Sequence, residues 1–286
     1  PPPPGSEKVT YPQWADLQVL VDPEGRVSQP VVRASSSWRL TYRALESLRS
    51  WRFEPARLAG TPVAALHEVR FNPPADSPPL EQLVTPGGEL VEVAESLRAG
   101  RWAKAGKRGD QLWETGLRSA LQSRAFYALT LTLRALAEAG EGKKPQAICR
   151  WQAAQAIEPR FFHADLSAYG APGEMLEQYR WGLPQEASSP VQRAGEEVQA
   201  PSIVQRTKPM YPEFRKPEKT QGMVVVEAII DRDGTIRDPR IDETGPGLEF
   251  AAAALDAVCD WRFAPARLGG EPVSVYYALT VNYEVR

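Results

Sequence analysis

The residue types that most often carry out chemistry are few in this sequence, and their spacing does not favour it. Its two histidines, His67 and His163, are isolated, and neither has a Cys, Asp or Glu at the spacing of a metal site. The acidic stretch DRDG, Asp231 to Gly234, lacks the remaining ligands of a calcium loop and is explained by a hairpin turn. No nucleophile elbow, phosphate-binding loop or dinucleotide fingerprint occurs. We therefore predict a protein that is not an enzyme and that binds no metal and no cofactor.

The only two cysteines, Cys149 and Cys259, each fall in a predicted helix, and the two helices belong to different segments of the chain. A cysteine on the apolar face of a helix is commonly a small buried hydrophobic residue. We therefore expect two buried thiols rather than a disulfide or a redox pair.

The composition allows several folded domains and excludes some classes of function. The chain has 286 residues, of which 42% are hydrophobic, and this is enough for two or three domains. Its formal net charge of −2 gives no electrostatic footprint for nucleic acid or for an anionic membrane surface. No apolar run is long enough to span a membrane. The chain starts inside the proline tract PPPPGSEK without a signal peptide, so we expect it to be part of a longer protein.

The strongest pattern in the sequence is a repeated motif. Trp51–Val63 reads WRFEPARLAGTPV and Trp261–Val273 reads WRFAPARLGGEPV. Such similarity within one chain indicates an internal duplication. Aromatic residues at the end of a helix, followed by Pro-Ala, are more typical of core anchors than of a ligand-stacking pair. The predicted core anchors are Trp51, Phe53, Trp261 and Phe263.

Each copy of the motif lies within a larger repeated pattern. Apolar alternation around an Asp-x-x-Gly turn precedes it and predicts a hairpin, at Leu17–Val32 and at Val224–Ile241. A helical apolar pattern then leads into the motif, and a third β-rich run follows it, at Val63–Phe71 and Val273–Val285. Each copy therefore predicts a β-β-α-β domain, in which a three-stranded antiparallel sheet packs on one helix. A right-handed connection gives the strand order 2-1-3, which makes the second and third strands the edges.

The sequence between the two copies is helical in character. Helices are predicted near 89–99, 102–118, 123–139, 144–157 and 173–181. The spacing of Ala147, Trp151, Ala154 and Pro159 resembles the second helix of a tetratricopeptide repeat, and a generic bundle of helical hairpins is the alternative. A polar stretch rich in proline and acidic residues follows and predicts a flexible to semi-extended linker.

These patterns together predict an α+β protein with an all-α region in its middle. We assign residues 1–78 to the first β-β-α-β domain, residues 79–182 to the helical region, residues 183–205 to the linker, and residues 206–286 to the second domain.

The second domain resembles the C-terminal domain of TonB-type energy transducers. The resemblance lies in Tyr211–Pro212, in Gly222, in the alternating run VVVEAIIDRDGTI, in the Ala-rich helix and in the motif WRFAPARLGGEPVSV. Residues Leu17–Phe71 resemble the same domain but lack its short N-terminal helix. Pro217 stands where that helix usually continues, so we expect the helix to end early in the second copy.

The resemblance implies binding rather than catalysis. Such domains lie in the periplasm of Gram-negative bacteria and capture an extended segment of an outer-membrane receptor as an added strand. Inner-membrane motor proteins drive them through an N-terminal segment that this chain does not show. The tract just before Tyr211 contributes receptor contacts in the family, which makes Lys208, Met210 and Tyr211 candidate contacts here. No nucleic-acid partner is implied.

Proline points to the edge that could receive such a strand. Pro30 and Pro239 occupy corresponding positions in the second strand of the two copies, and proline removes a backbone donor from an edge. The third strand is therefore the edge at which a partner strand could be added. Its first copy ends against Pro73–Pro74, so the second copy is the better candidate. The predicted binding residues are Val273, Val275, Tyr276, Tyr277, Leu279, Val281 and Tyr283.

Two functions fit this organisation. The first is a periplasmic binding module of a TonB-like transport system. The second is a cell-envelope adaptor that gathers partners through its tetratricopeptide-like helices without energy coupling. The complete C-terminal motif favours the first, while the duplication and the inserted helices favour the second.

Overall fold

The computed structural model describes residues 15–35, 48, 51–58, 60–71, 80, 88–119, 123–180, 191–193, 198–241 and 246–284. The chain divides into two compact units, Pro1–Ser77 and Pro78–Arg286.

The first unit is built on a three-stranded antiparallel sheet. The strands of this unit are β1 (Ala15–Val21), β2 (Val27–Ser35), β3 (Ala56–Leu58), β4 (Thr61–Val63) and β5 (Ala65–Phe71). The sheet has the order β2-β1-β5, which confirms the predicted order 2-1-3. One face of the sheet buries Leu17, Val19, Val21 and Val69 together with Leu48. Leu48 is helical and is the one described residue of the helix predicted before Trp51.

The second unit begins with the helical region. Its helices are α1 (Gly88–Arg98), α2 (Trp102–Arg118), α3 (Arg124–Gly140), α4 (Lys144–Ile157) and α5 (Ala171–Glu177). The first four agree closely with the predicted helices, and each packs against the next. Close approach is achieved with small residues, since a Cβ on Gly140 would lie 2.2 Å from the Trp102 ring. The arrangement is a series of helical hairpins, and the tetratricopeptide resemblance stays a prediction.

The C-terminal domain repeats the sheet of the first unit. Its elements are β6 (Gln192–Arg193), β7 (Val198–Gln199), β8 (Ser202–Gln205), β9 (Gly222–Ile230), β10 (Ile236–Ile241), α6 (Leu248–Val258), β11 (Arg262–Ala264), β12 (Ala266–Leu268), β13 (Glu271–Val273) and β14 (Val275–Tyr283). The main sheet has the order β10-β9-β14-β6, so the order 2-1-3 recurs with one strand added. Only a short 3-10 helix, Glu213–Arg215, precedes Pro217, in agreement with the early helix end predicted there.

The repeated motif joins the first hairpin to the rest of each domain. Gly25 and Gly234 occupy the hairpin turns with φ of 76° and 77°. The amide nitrogen of Phe53 donates to the Gly25 carbonyl at 2.9 Å, and that of Phe263 donates to the Gly234 carbonyl at 3.0 Å. A Cβ would lie 2.1 Å from the Phe53 oxygen at the first turn and 1.8 Å from the Phe263 oxygen at the second, so glycine is required at both.

The pattern β-β-α-β omits a short hairpin that the structure adds to each copy. Strands β3 and β4 pair with each other in the first copy, and β12 and β13 pair in the same register in the second. The sequence predicted one β run from Val273, but Val273 ends β13 and the third main strand starts at Val275. Strands of three residues carry no periodicity that the sequence could reveal.

The stretch predicted as a flexible linker contributes strands to the C-terminal domain. Strand β6 pairs in parallel with the start of β14, β7 pairs with β12, and β8 pairs with β11. Residues 198–205 therefore extend two small sheets of the domain instead of separating it from the helices.

The expectation of two separate buried thiols is wrong. Cys149 on α4 and Cys259, directly after α6, form a disulfide with Cα atoms 5.4 Å apart. The helical region and the C-terminal domain pack into one hydrophobic core, which brings the two cysteines together. No local pattern indicates this packing, because the two residues are 110 positions apart.

Buried charges lie beside the disulfide. Arg150 on α4 is only 2% exposed, and its guanidinium contacts Asp256 at 2.8 Å, Asp260 at 2.6 Å and Glu138. Arg134 also contacts Asp256, at 2.7 Å. Burial alone would raise the pKa of Asp256, but the two guanidinium groups outweigh it and lower this pKa below its ordinary value. Burial raises the pKa of Glu138, although Arg150 opposes the effect. These pairs connect α3 and α4 with the C-terminal half of α6 and the residues that follow it.

Candidate protein-binding edge

One edge of the C-terminal sheet is covered by the helical region. Strand β10 has a bulge between Arg237 and Arg240, where Asp238 adopts a φ of 50°. The amide nitrogen of Asp238 donates to the side-chain oxygen of Gln152 on α4 at 2.8 Å, and Gln152 is fully buried. The β10 edge is therefore blocked by Pro239 and also by α4.

The opposite edge, on β14, is partly covered. The amide of Gln192 donates to the carbonyl of Ser274 at 2.8 Å, so the backbone groups of Ser274 face away from β9. Because backbone groups alternate in direction along a strand, those of four further residues also face outward. These residues are Tyr276, Ala278, Thr280 and Asn282. Strand β6 pairs with Val275 and Tyr276 only, and no other described strand pairs with this side of β14.

In the described part of the chain, the side chain of Arg206 reaches the remaining part of the edge. Arg206 donates from Nη2 to the carbonyl of Thr280 at 3.3 Å, which agrees with the outward direction of that carbonyl. The same guanidinium lies over the Trp261 ring at 4.7 Å from its centroid. An exposed hydrogen bond of this length is weak, so a partner backbone could replace it.

The side chains of β14 alternate between core and solvent. Val275, Leu279, Val281 and Tyr283 are buried, and the Tyr283 hydroxyl donates to the Phe250 carbonyl at 2.9 Å. Burial is also the main reason that the pKa of Tyr283 lies well above its ordinary value. Of the predicted binding side chains, Tyr276 is 52% exposed and Tyr277 is half-buried. The backbone groups of these buried residues face β9, so they offer an added strand neither side chains nor backbone atoms. Of the predicted set, Tyr276 is the member of β14 whose backbone groups face outward.

The three candidate contacts before β9 have different surroundings. Lys208 is exposed, whereas Met210 packs against the core. The Tyr211 hydroxyl donates to the Thr220 carbonyl at 2.7 Å, and its ring packs edge-on against Phe250 at 5.4 Å between centroids. Tyr211 therefore supports the domain, and Lys208 is the member of the set with a solvent-facing side chain.

The predicted core anchors differ between the copies. Trp261 is 1% exposed, Phe263 is buried, and Trp261 Nε1 donates to the Thr207 carbonyl at 2.8 Å. In the first copy Phe53 is half-buried and Trp51 is 39% exposed. The anchor prediction is therefore wrong for Trp51, because burial of the second tryptophan depends on a segment far from the motif.

The third strand of the first copy is also an edge strand. Strand β5 pairs with β1, and no other described strand pairs with it. Its Leu66 side chain is 66% exposed. Pro73 and Pro74, which were predicted to limit this strand, lie outside the described residues.

The DRDG stretch and His67, which were considered above as possible metal-binding residues, make contacts that support the fold. The DRDG stretch forms the hairpin turn, where the Asp231 carboxylate accepts from Ser274 Oγ and from Arg237 Nε, each at 2.8 Å. The His67 ring packs edge-on against Phe53 at 5.2 Å between centroids. In the described ranges, no three His, Cys, Asp or Glu side chains are grouped so that they could hold a metal ion.

Sequence reasoning missed the residues that cover the two edges. Gln152 lies in a helix that the sequence does not connect with β10. Gln192 lies in the predicted linker, and Arg206 directly follows that linker. Pro239 was a usable signal for β10, but no local pattern marks a two-residue strand on β14.

Comparisons with known proteins identify both sheet domains. The family described as the Gram-negative bacterial TonB protein C-terminal matches residues 15–73 and 207–285. A solution NMR structure of the TonB CTD of Pseudomonas aeruginosa is 25% identical, and the match covers 34% of this chain and 99% of that chain with a TM-score of 0.26. No curated protein sequence matches the chain. Among the described helices, none has the length and apolar character needed to cross a membrane. Residues 15–73 and 207–285 are both TonB C-terminal domains, so this chain carries the domain of that family twice.

Proposed function

We propose that this chain is a non-enzymatic, periplasmic protein-binding module of a TonB-like energy-transducing system. In this proposal an outer-membrane partner docks by adding a strand to β14 of the C-terminal domain. The observation that carries the proposal is the outer side of β14 from Tyr277 to Tyr283, where no described strand pairs. The β10 edge, in contrast, is covered by α4.

The backbone of β14 supplies what an added strand requires. The outward donors and acceptors of Ala278, Thr280 and Asn282 form a row along the edge, and main-chain pairing gives such complexes most of their affinity. The exposed ring of Tyr276 lies beside this row and offers amphipathic contact area. Specificity would come from this ring and from Lys208, since the other large side chains of β14 face the core.

The disulfide supports the proposed compartment. Structural disulfides persist in oxidising compartments such as the bacterial periplasm and are rare in the cytosol. Cys149 and Cys259 are both buried in the bonded state. A stable bridge between two helices is thus consistent with a periplasmic location.

Ala278→Pro tests the edge. The substitution removes one outward donor from an exposed position and leaves the donors that face β9 in place. We expect the affinity for the captured outer-membrane protein to fall by about tenfold or more, because a hydrogen bond is lost and the ring obstructs the added strand. Glu68→Pro is the matched control, because it occupies the same position in β5 of the first copy. Capture from outer-membrane extracts, quantified by mass spectrometry, is the measurement.

Equal capture by the wild type and by a folded Ala278→Pro protein would contradict strand addition at β14. Circular dichroism and the thermal unfolding midpoint establish that the variant is folded. Loss of capture in Glu68→Pro alone would place the docking edge in the first copy instead.

The second candidate is an envelope adaptor without energy coupling, which binds partners through its helices. A specific observation favours it: α1 and α2 form an open cleft of about 420 Å³ whose charged lining is Arg101, Lys104, Lys107 and Arg108 together with Glu92 and Glu95. Reversing the charge at Lys104 and Lys107 separates the two functions. An adaptor loses its partner in this double variant and keeps it in Ala278→Pro, whereas the first candidate behaves in the opposite way.

A further inference from the structure

The two copies of the hairpin arm, β3–β4 and β12–β13, have the same geometry but different coverage. Their registers match, because Arg57 pairs with Pro62 and Arg267 pairs with Pro272. Each arginine also bonds across its own turn, Arg57 to the Gly60 carbonyl and Arg267 to the Gly270 carbonyl. The difference between the arms therefore does not come from their own fold.

In the second copy an extended segment of the chain lies along the arm. Val198 and Gln199 pair with Leu268 and Arg267, and Ser202–Gln205 pairs with β11 just before the arm. The segment then continues to Thr207, whose carbonyl accepts the hydrogen bond from Trp261. Residues 198–207 thus contact Trp261, Arg262–Ala264 and Arg267–Leu268.

In the first copy the equivalent surface is open. Leu58 is 71% exposed, whereas its counterpart Leu268 is half-buried. Ala56 is exposed, whereas Ala266 is fully buried. Within the described residues, β3 pairs with β4 and with no second strand. Together with the greater exposure of Trp51, these differences mark the side of the arm that the extended segment covers in the second copy.

We propose that the hairpin arm of the first copy binds an extended segment of a second polypeptide, in the way that the second arm binds residues 198–207. Residues 198–207 indicate the chemistry of the occupant. The occupant is a short strand with an apolar residue that faces Leu58, as Val198 faces Leu268. This surface is separate from the β14 edge and does not depend on it.

A second polypeptide is the favoured occupant because residues 198–207 of the same chain are already used. A strand held in its own chain is present at a high effective concentration, so an added peptide does not displace it from the second arm. An open β edge with exposed apolar side chains is, in turn, a template for pairing with another chain.

A synthetic peptide with the sequence of residues 198–207, VQAPSIVQRT, is the probe. We expect isothermal titration calorimetry on the whole chain to show one saturable site. Leu58→Asp should weaken binding by about tenfold or more, because the added strand would bury an unpaired carboxylate. Leu66→Asp is the matched control, since it changes a similarly exposed leucine of the same unit outside the arm. A peptide with Asp in place of Val198 should bind as weakly as Leu58→Asp does.

Three results would overturn the proposal. The first is the absence of saturable binding up to about 1 mM peptide. The second is binding that Leu58→Asp leaves unchanged, which would place the peptide elsewhere. The third is binding that appears only after removal of residues 1–14, which would identify those residues as the occupant of the arm. Because Leu58 is largely exposed, Leu58→Asp is expected to fold, and circular dichroism checks this.

Discussion

Breaking the bond between Cys149 and Cys259 should destabilise the unit formed by residues 78–286 without unfolding it at neutral pH. The bridge closes a loop in the unfolded chain, so its removal increases the entropy of the unfolded state. With a sequence separation of 110 residues, the loop-entropy relation gives a loss of about 4–5 kcal/mol in the free energy of unfolding.

The reduced protein should keep its fold because other contacts join the same elements. Arg150 still pairs with Asp256 and Asp260, and Gln152 still accepts from Asp238. The hydrophobic core shared by the helices and the sheet is also unchanged. Reduction therefore removes a constraint on the unfolded chain while the native contacts persist.

Urea unfolding followed by tryptophan fluorescence is the assay, with and without dithiothreitol. For a unit of this size, the unfolding midpoint should fall by about 2 M urea on reduction. The double variant Cys149→Ala, Cys259→Ala should unfold near the midpoint of the reduced wild type. Dithiothreitol should not change the midpoint of this variant, which controls for other effects of the reagent.

Thiol labelling of the denatured, unreduced protein gives the result that would refute this reasoning. Labelling of both cysteines before reduction would show that the bridge is not formed. If labelling shows the bridge but reduction leaves the midpoint unchanged, the unfolded chain must already hold the two helices together. The entropy argument would then be wrong.

Three further predictions concern the buried charges and the second hairpin turn. Arg150→Met should cost about 3–5 kcal/mol in urea unfolding, because it leaves carboxylates buried without their partner. Since the pKa of Asp256 is lowered, the stability it provides is present at neutral pH and is lost as the pH falls below about 4. Thermal unfolding midpoints measured against pH should show this acid loss in the wild type and a smaller loss in Asp256→Asn. Gly234→Ala should lower the midpoint at every pH, since its Cβ would lie 1.8 Å from the Phe263 carbonyl oxygen, and Gly269→Ala, at a turn with open space, should have a smaller effect.

Local patterns predicted the elements of this protein well, because periodicity is a property of short stretches. Alternation around the two Asp-x-x-Gly turns predicted the hairpins, and helical spacing predicted α1 to α4 with little error. The order of the main strands followed from the handedness of one connection. The repeat itself predicted that both copies would share this order, as they do.

Contacts between distant segments could not be predicted in this way. The same motif places Trp261 in a core and leaves Trp51 partly exposed, and residues 198–207 supply contacts to Trp261 through Arg206 and Thr207. The strands of this segment have two to four residues and no periodic apolar pattern, so the sequence predicts a linker as far as residue 205. The prediction of two separate thiols is wrong for the same reason, since the disulfide depends on how α4 packs against α6.

The disulfide also determines how a mechanical pull would travel through the second unit. A strand pulled along β14 strains the hydrogen bonds to β9 in shear, so many of them must break together for the sheet to open. From β9 the strain passes to β10 and α6, which both contact α4. There a covalent bond joins α6 to α4, in parallel with the Arg150 ion pairs. The helical region would consequently move with the sheet as one rigid body. The tension would not have to pass through residues 178–221, which connect the two along the chain.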